Sequence, residues 1–250
     1  MTISIAMAGK GGTGKTSIAS LIIRYLLNHG SKPVLGVDAD PAANLGFSLG
    51  INDNMTVGAV LADFNKNKLT IPSGLSKESF LNIKLNETIA ESQGVDLITM
   101  GRGEGAGCYC FPNNVLKDFI NRLIPNYQYL IMDNEAGLEH ISRGMTDQVD
   151  HLILVSNHSI KGIRTLDTIL RLVAELKLNI KQTWIAINQS PETLDPLVSA
   201  ELDKLSISPD FLIPQDELIM EYDWQQRSLL ELPENSSAVQ ATKRLMDKIS

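Results

Sequence analysis

The chain is short of several features that define common protein classes. Its 250 residues hold two cysteines, which excludes a secreted disulfide framework. It has no apolar run near the roughly 18–20 residues that span a bilayer. Lys and Arg number 22 against 29 Asp and Glu, and the net charge of −7 argues against nucleic acid or an anionic membrane as the main partner. The opening Met1-Thr2-Ile3-Ser4 lacks the basic region of a signal peptide, so the cytoplasm is the expected location. Low complexity, short repeats and Pro/Ser linkers are also missing. What remains, 43% hydrophobic and 20% charged residues, describes a globular chain long enough to bury its own core. The expectation is a single domain over 1–250, with a weakly periodic insertion at about 52–93 made of short helices and loops.

Apolar, β-prone runs alternate with helical patterns. Strands are predicted at Ile3–Ala8, Pro33–Val37, Val95–Thr99, Tyr129–Met132, Leu152–Val155, Thr183–Ile187 and Phe211–Ile213. Helices are predicted at about Lys15–Asn28, Asn114–Leu123, Ile163–Leu176, Leu197–Leu205 and Ala238–Ile249. Unbroken apolar strands, most of them followed by a helix, indicate an α/β fold: a mostly parallel sheet of about seven strands covered on both faces. In such sheets the ligand lies at the carboxyl ends of the strands.

The residues of interest follow strands. Gly9-Lys10-Gly11-Gly12-Thr13-Gly14-Lys15-Thr16 fits G-x-x-x-x-G-K-[ST] between a strand and a helix. Glycines let successive backbone N–H groups turn toward a phosphate, and the helix presents its positive end to it. Lys15 is expected to reach the β/γ-phosphates, and the Thr16 hydroxyl to bind Mg²⁺. The ATP-binding set is Gly9, Gly11, Gly12, Thr13, Gly14, Lys15, Thr16 and Ser17. Lys10 is repelled by Lys15 and has little reason to sit there unless phosphate is bound.

Asp38-Ala39-Asp40-Pro41 follows the second strand. A carboxylate there can orient an attacking water or hold Mg²⁺ through water. Tyr129-Leu130-Ile131-Met132-Asp133 is an apolar strand ending in an acid, so Asp133 is expected to bind Mg²⁺ directly or through water. Asn188 offers a donor and an acceptor suited to an adenine edge, although an Asn after a strand is often only a turn residue. Trp184 and Trp224 read as core or rim packing. The C-terminal segment, short and mixed in charge, reads as a packing helix and not as a membrane anchor.

Both cysteines lie in Gly107-Cys108-Tyr109-Cys110. In extended backbone, residues i and i+2 face the same side, so Cys108 and Cys110 would offer two thiolates to one soft metal. Two do not close a site, and a two-fold dimer would supply four. Four sulfurs suit tetrahedral Zn²⁺ or an iron–sulfur cluster, and a square-planar version suits Ni²⁺.

The K-G-G-T-G-K-T loop and the D-A-D-P segment resemble the MinD/ArsA/nitrogenase-iron-protein class of ATPases. With the C-Y-C pair, Asn134-Glu135-Ala136-Gly137-Leu138-Glu139-His140 and Arg143-Gly144, the chain is similar to the CooC/AcsF group. These are nickel-inserting maturation ATPases of carbon monoxide dehydrogenase and acetyl-CoA synthase. The resemblance implies a homodimer in which Lys10 reaches the partner's nucleotide. It makes Asp40 the water-positioning catalytic residue beside Lys10 and Lys15, and Asp38 a Mg²⁺-shell or switch residue. It places Gly137 in a second switch near the γ-phosphate, and gives base-reading roles to Asn188 and the Ile213-Pro214-Gln215 segment. It also implies ATP/ADP and Mg²⁺ as cofactors, Ni²⁺ or Zn²⁺ shared between subunits at Cys108 and Cys110, and a nickel enzyme as client. His140 reads as an auxiliary metal ligand, a relay from switch to metal, or a plain hydrogen-bonding histidine. The alternative reading is a nucleotide-switched partitioning or scaffold protein whose cysteines are incidental.

Overall fold

The computed structural model describes residues 2–52, 55–67, 71–102, 110–135 and 148–249, without the side chains of 67 and 110–113. The strands are β1 (Ile3–Gly9), β2 (Val34–Ala39), β3 (Ile89–Glu91), β4 (Val95–Thr99), β5 (Tyr129–Asn134), β6 (Val149–Asn157), β7 (Ile180–Ser190) and β8 (Phe211–Pro214). The helices are α1 (Lys15–Asn28), α2 (Leu45–Leu49), α3 (Val57–Asn67), α4 (Lys77–Asn86), α5 (Cys110–Leu123), α6 (Ile160–Leu176), α7 (Pro196–Lys204), α8 (Glu217–Trp224) and α9 (Ser237–Ile249).

The strands form one eight-stranded sheet in the order β3-β4-β2-β5-β1-β6-β7-β8. Every neighbouring pair is parallel except β3 against β4. The seven predicted strands are all present. The eighth is β3, a three-residue edge strand too short to carry a periodic signal. It lies in the 52–93 region, together with α3 and α4.

The continuous apolar strands supply two cores at once, because alternate side chains leave a strand on opposite faces. Ala6 and Ala8 of β1, with Leu152 and Leu154 of β6, join the core under α3 to α7. Ile5 and Met7, with Ile153 and Val155, join the core under α1, α2, α8 and α9. Each fully buried Ile or Leu is worth roughly 1.5–3 kcal/mol relative to exposure, so neither face tolerates a polar residue cheaply. The C-terminal helix α9 packs as expected, burying Ala238, Val239, Ala241, Leu245, Met246 and Ile249. Among the described residues, no helix is long and apolar enough to cross a membrane.

Two local expectations change. Helix α5 begins at Cys110 and not near Asn114, with Pro112 in its first turn, where a missing N–H costs nothing. Cys110 is therefore helical where extended backbone was expected, and Cys108 lies outside the described residues. Trp224 does not pack: it is 75% exposed, whereas Trp184 is half-buried against His151 and Phe211.

Candidate functional site

The order of the sheet sets the site. The chain leaves β1, builds outward on one side to β3, and returns through β5. It then crosses to β6 on the other side, so the sequence order reverses around β1. Ligands bind at such reversals, beyond the carboxyl ends of the strands. The loop after β1 lies there.

That loop is shaped by close approaches. Gly9 has φ 152°, and a Cβ on it would fall 2.1 Å from the Val155 carbonyl oxygen on β6. Gly12 and Gly14 are left-handed, at φ 78° and 86°. A Cβ on Gly14 would sit 2.2 Å from Asn188 Nδ2, which donates to the Thr13 carbonyl at 2.8 Å. The Thr13 hydroxyl donates to the Lys10 carbonyl at 2.8 Å, drawing the loop closed. Among the described residues, no backbone N–H from Gly11 to Thr16 is spent on another protein group. Gly14 caps α1 without a side-chain bond, so the positive helix end is left to an anion. Lys15 is buried, and among the described residues its ammonium makes one long contact, 3.4 Å to the Lys10 carbonyl. A group with three donors is poorly satisfied by that bond. Lys10 is half-buried on the same loop.

Three acids converge on it. Asp38 and Asp133 are register partners on the adjacent strands β2 and β5, both buried. Asp38 lies inside β2; its Oδ1 accepts the Asp40 N–H at 3.0 Å and its Oδ2 the Leu45 N–H at 2.8 Å, the first residue of α2. The loop that carries Asp40 is thus tied down at both ends by one carboxylate. Asp40 is half-buried and turns the chain by accepting the Ala42 N–H at 2.8 Å. Asp133 Oδ2 accepts the Thr16 hydroxyl at 2.5 Å. Its other oxygen is buried with no partner among the described residues. Burial pushes the Asp133 carboxyl up to about 7; the Thr16 bond and Lys15 oppose this, and the charges of Asp38 and Asp40 add to it. A carboxylate short of donors beside a threonine hydroxyl fits a divalent cation, which would supply the missing positive charge.

Other expected residues fall as follows. Asn188 is inside β7, which runs on to Ser190, opposite Asn157 of β6. Its amide nitrogen faces the phosphate loop. Pro214 ends β8 and Gln215 is exposed just beyond it. Cys108, Gly137 and His140, and the side chain of Cys110, lie outside the described residues.

The sequence reading missed two walls. A cavity of about 380 Å³ opens beside Thr16 and Ser17, between Phe47 and Ser48 of α2 and Ile219, Met220 and Asp223 of α8. Neither helix was predicted. The available signal for α8 was Asp216 followed by Glu217, a helix-start pattern. Helix α2, at five residues, carries none of its own. Asn134 was also missed as a support: its amide donates to the Met7 carbonyl at 2.9 Å and joins β5 to β1 below the loop.

Comparison with known proteins agrees with this geometry. Residues 1–186 match the family described as AAA domain. An uncharacterized ATP-binding protein of Methanocaldococcus jannaschii is 35% identical over 247 residues, covering 98% of this chain and 97% of that protein. The carbon monoxide dehydrogenase accessory protein CooC of Rhodospirillum rubrum is 26% identical over 174 residues, covering 65% of this chain and 66% of CooC. Among solved structures, the septum site-determining protein MinD complexed with Mg-ADP from Pyrococcus horikoshii superposes with a TM-score of 0.69 at 22% identity, covering 100% of this chain and 96% of that one. The chain therefore belongs to the AAA domain family, as an ATPase with the fold of MinD.

Proposed function

We propose that the protein is a homodimerising Mg-ATPase that couples ATP binding and hydrolysis to nickel delivery during maturation of a nickel–iron–sulfur enzyme, carbon monoxide dehydrogenase or acetyl-CoA synthase, in the cytoplasm. The observation that carries the reading is the Cys108-Tyr109-Cys110 pair in a chain whose phosphate loop, and an Asp133 oxygen with no partner among the described residues, suit Mg-ATP. Similarity to CooC supports it.

The chemistry asked of the protein is mainly electrostatic. The free N–H groups from Gly11 to Thr16 bind the phosphates. Lys15 neutralises charge on the transferring phosphoryl, and Lys10 of the partner subunit adds to it from across the dimer. Thr16 and Asp133 would hold Mg²⁺, with Asp38 beside Asp133 on the neighbouring strand, and the cation would supply positive charge against that developing on the phosphates. Asp40 positions the attacking water. Gly137 senses the γ-phosphate, and Asn188, Pro214 and Gln215 read the base. ATP then favours one dimer geometry and ADP another, which changes the cysteine site between holding and releasing metal.

The test is a metal titration of reduced protein with and without ATP, with mass measured in parallel. One Ni²⁺ or Zn²⁺ per two chains, lost in Cys108→Ser/Cys110→Ser, is the expected result. One metal per chain, or unchanged binding in the double variant, refutes a shared site. The second reading, a partitioning or scaffold ATPase, draws on the likeness to the MinD fold. It predicts recruitment to membrane or DNA that is indifferent to the cysteines, and it gives the C-x-C pair no use.

A further inference from the structure

The carboxylate of Asp216 accepts hydrogen bonds from two helix starts at once. Its Oδ1 takes the Leu218 N–H at 3.0 Å, in the first turn of α8. Its Oδ2 takes the Ser236 hydroxyl at 2.6 Å, the Ser237 hydroxyl at 3.1 Å and the Ala238 N–H at 3.0 Å, where α9 begins. The two helices are unequal partners. Helix α9 is anchored along its length in the core. Helix α8 has eight residues, buries Tyr222 and packs Leu218 and Ile219 only partly against the core, so its hold is lighter than that of α9. Yet α8 supplies Ile219, Met220 and Asp223 to the wall of the 380 Å³ cavity beside Thr16 and Ser17. A volume of that size is within the range of small-ligand sites, roughly 300–1,000 Å³. Asp216 also directly follows Pro214-Gln215.

We infer that Asp216 is a positioning residue for the nucleoside half of bound ATP, acting by fixing α8 to the rigid start of α9. The inference rests on the ATP reading of the phosphate loop. The phosphates are held by the loop itself, and no bond of Asp216 reaches it. Loss of the clamp therefore releases the nucleoside wall while leaving the phosphate cradle in place.

The charge on Asp216 has independent support. Burial pushes its carboxyl upward, but the bonds from Ser236, Ala238, Leu218 and Ser237 together hold it below the ordinary aspartate value. The ionised form is thus the one the two helix starts select.

The experiment compares two probes on the full chain with Mg²⁺: ATP, and inorganic tripolyphosphate, which has no nucleoside. In Asp216→Ala the dissociation constant for ATP is expected to rise about tenfold, while that for tripolyphosphate moves less than about twofold and kcat at saturating ATP is kept. Ser236→Ala removes the shortest of the α9 bonds without touching the cavity, and a smaller rise for ATP alone is expected. It decides the matter if circular dichroism shows Asp216→Ala to be unfolded. Equal losses for both probes mean general damage to the site and overturn the inference. So does an unchanged ATP affinity in folded Asp216→Ala or, failing that, in Ser236→Ala. A wild-type chain that binds neither probe sinks the ATP reading itself, a separate result.

Discussion

The Thr16 hydroxyl donates to Asp133 Oδ2 at 2.5 Å, joining the first turn of α1 to the end of β5 across 117 positions of sequence. It is the one hydrogen bond to the Asp133 carboxylate among the described residues, and the other oxygen is buried without a partner. A charge so placed is costly until a cation arrives.

That cost has a pH signature. Burial raises Asp133 from 3.8 to about 7, so the native state keeps a proton that the unfolded chain has released. The nucleotide-free protein should lose stability from this group as pH rises from about 4 to about 7, at ~1.4 kcal/mol per pH unit. Asp133→Asn removes the ionisation. Its melting temperature should exceed that of the wild type at pH 8 and match it near pH 4, while Mg-ATP should stabilise only the wild type at pH 8. Thermal unfolding at the two pH values decides, and a variant less stable than wild type at pH 8 contradicts the burial argument.

Lys15→Ala and Asp40→Ala should both abolish turnover by different routes. Lys15 is buried in the loop and contributes to binding, so ATP affinity falls as well. Asp40 acts on water, so its variant should bind ATP normally and accumulate the ATP-bound dimer. Titration and single-turnover assays separate the two. Normal hydrolysis by Asp40→Ala would remove Asp40 from the mechanism.

Gly14→Ala tests the loop directly. The new Cβ would stand 2.2 Å from Asn188 Nδ2 at a left-handed φ of 86°. Strain of this kind costs about 1–3 kcal/mol, so ATP affinity should fall by an order of magnitude or more. Affinity for inorganic tripolyphosphate should fall in parallel, because the damage is to the phosphate cradle. Unchanged ATP affinity in Gly14→Ala would show that the loop tolerates a side chain at this position.

Lys10 is proposed to act across the dimer. Neither Lys10→Ala nor Lys15→Ala should turn over alone, but a mixture should recover some activity, because one heterodimer site keeps Lys15 from the first chain and Lys10 from the second. Inactive mixtures with demonstrated heterodimer would return Lys10 to its own loop.

Much of the fold was legible because its signals are local. Strand β1, the glycine loop and α1 are contiguous, and Lys15–Asn28 was delimited from its own sequence. The seven longer strands announced themselves by apolar runs, since both faces of the sheet are covered. Strand β3 and helix α2 did not, because three and five residues are too few for a period to show. Helix α8 starts on a readable cap, but its apolar stripe is weak because it buries only Tyr222.

The phosphate loop, the two acid-ended strands and the C-x-C pair were therefore determined by sequence alone, each being a short pattern with its own chemistry. What tertiary structure decided is which of these meet and how well they are satisfied. Asp38 and Asp133 are 95 positions apart by their numbers, and only the placement of β5 beside β2 makes them register partners. Among the described residues Asp133 has one donor, whereas Asp38 accepts from the backbone at Asp40 and Leu45, a difference that no residue type encodes. The Asp216 clamp is of the same kind: its donors lie in two helices, and a carboxylate's partners depend on the field and solvent exclusion of the whole fold, not on its neighbours in the chain.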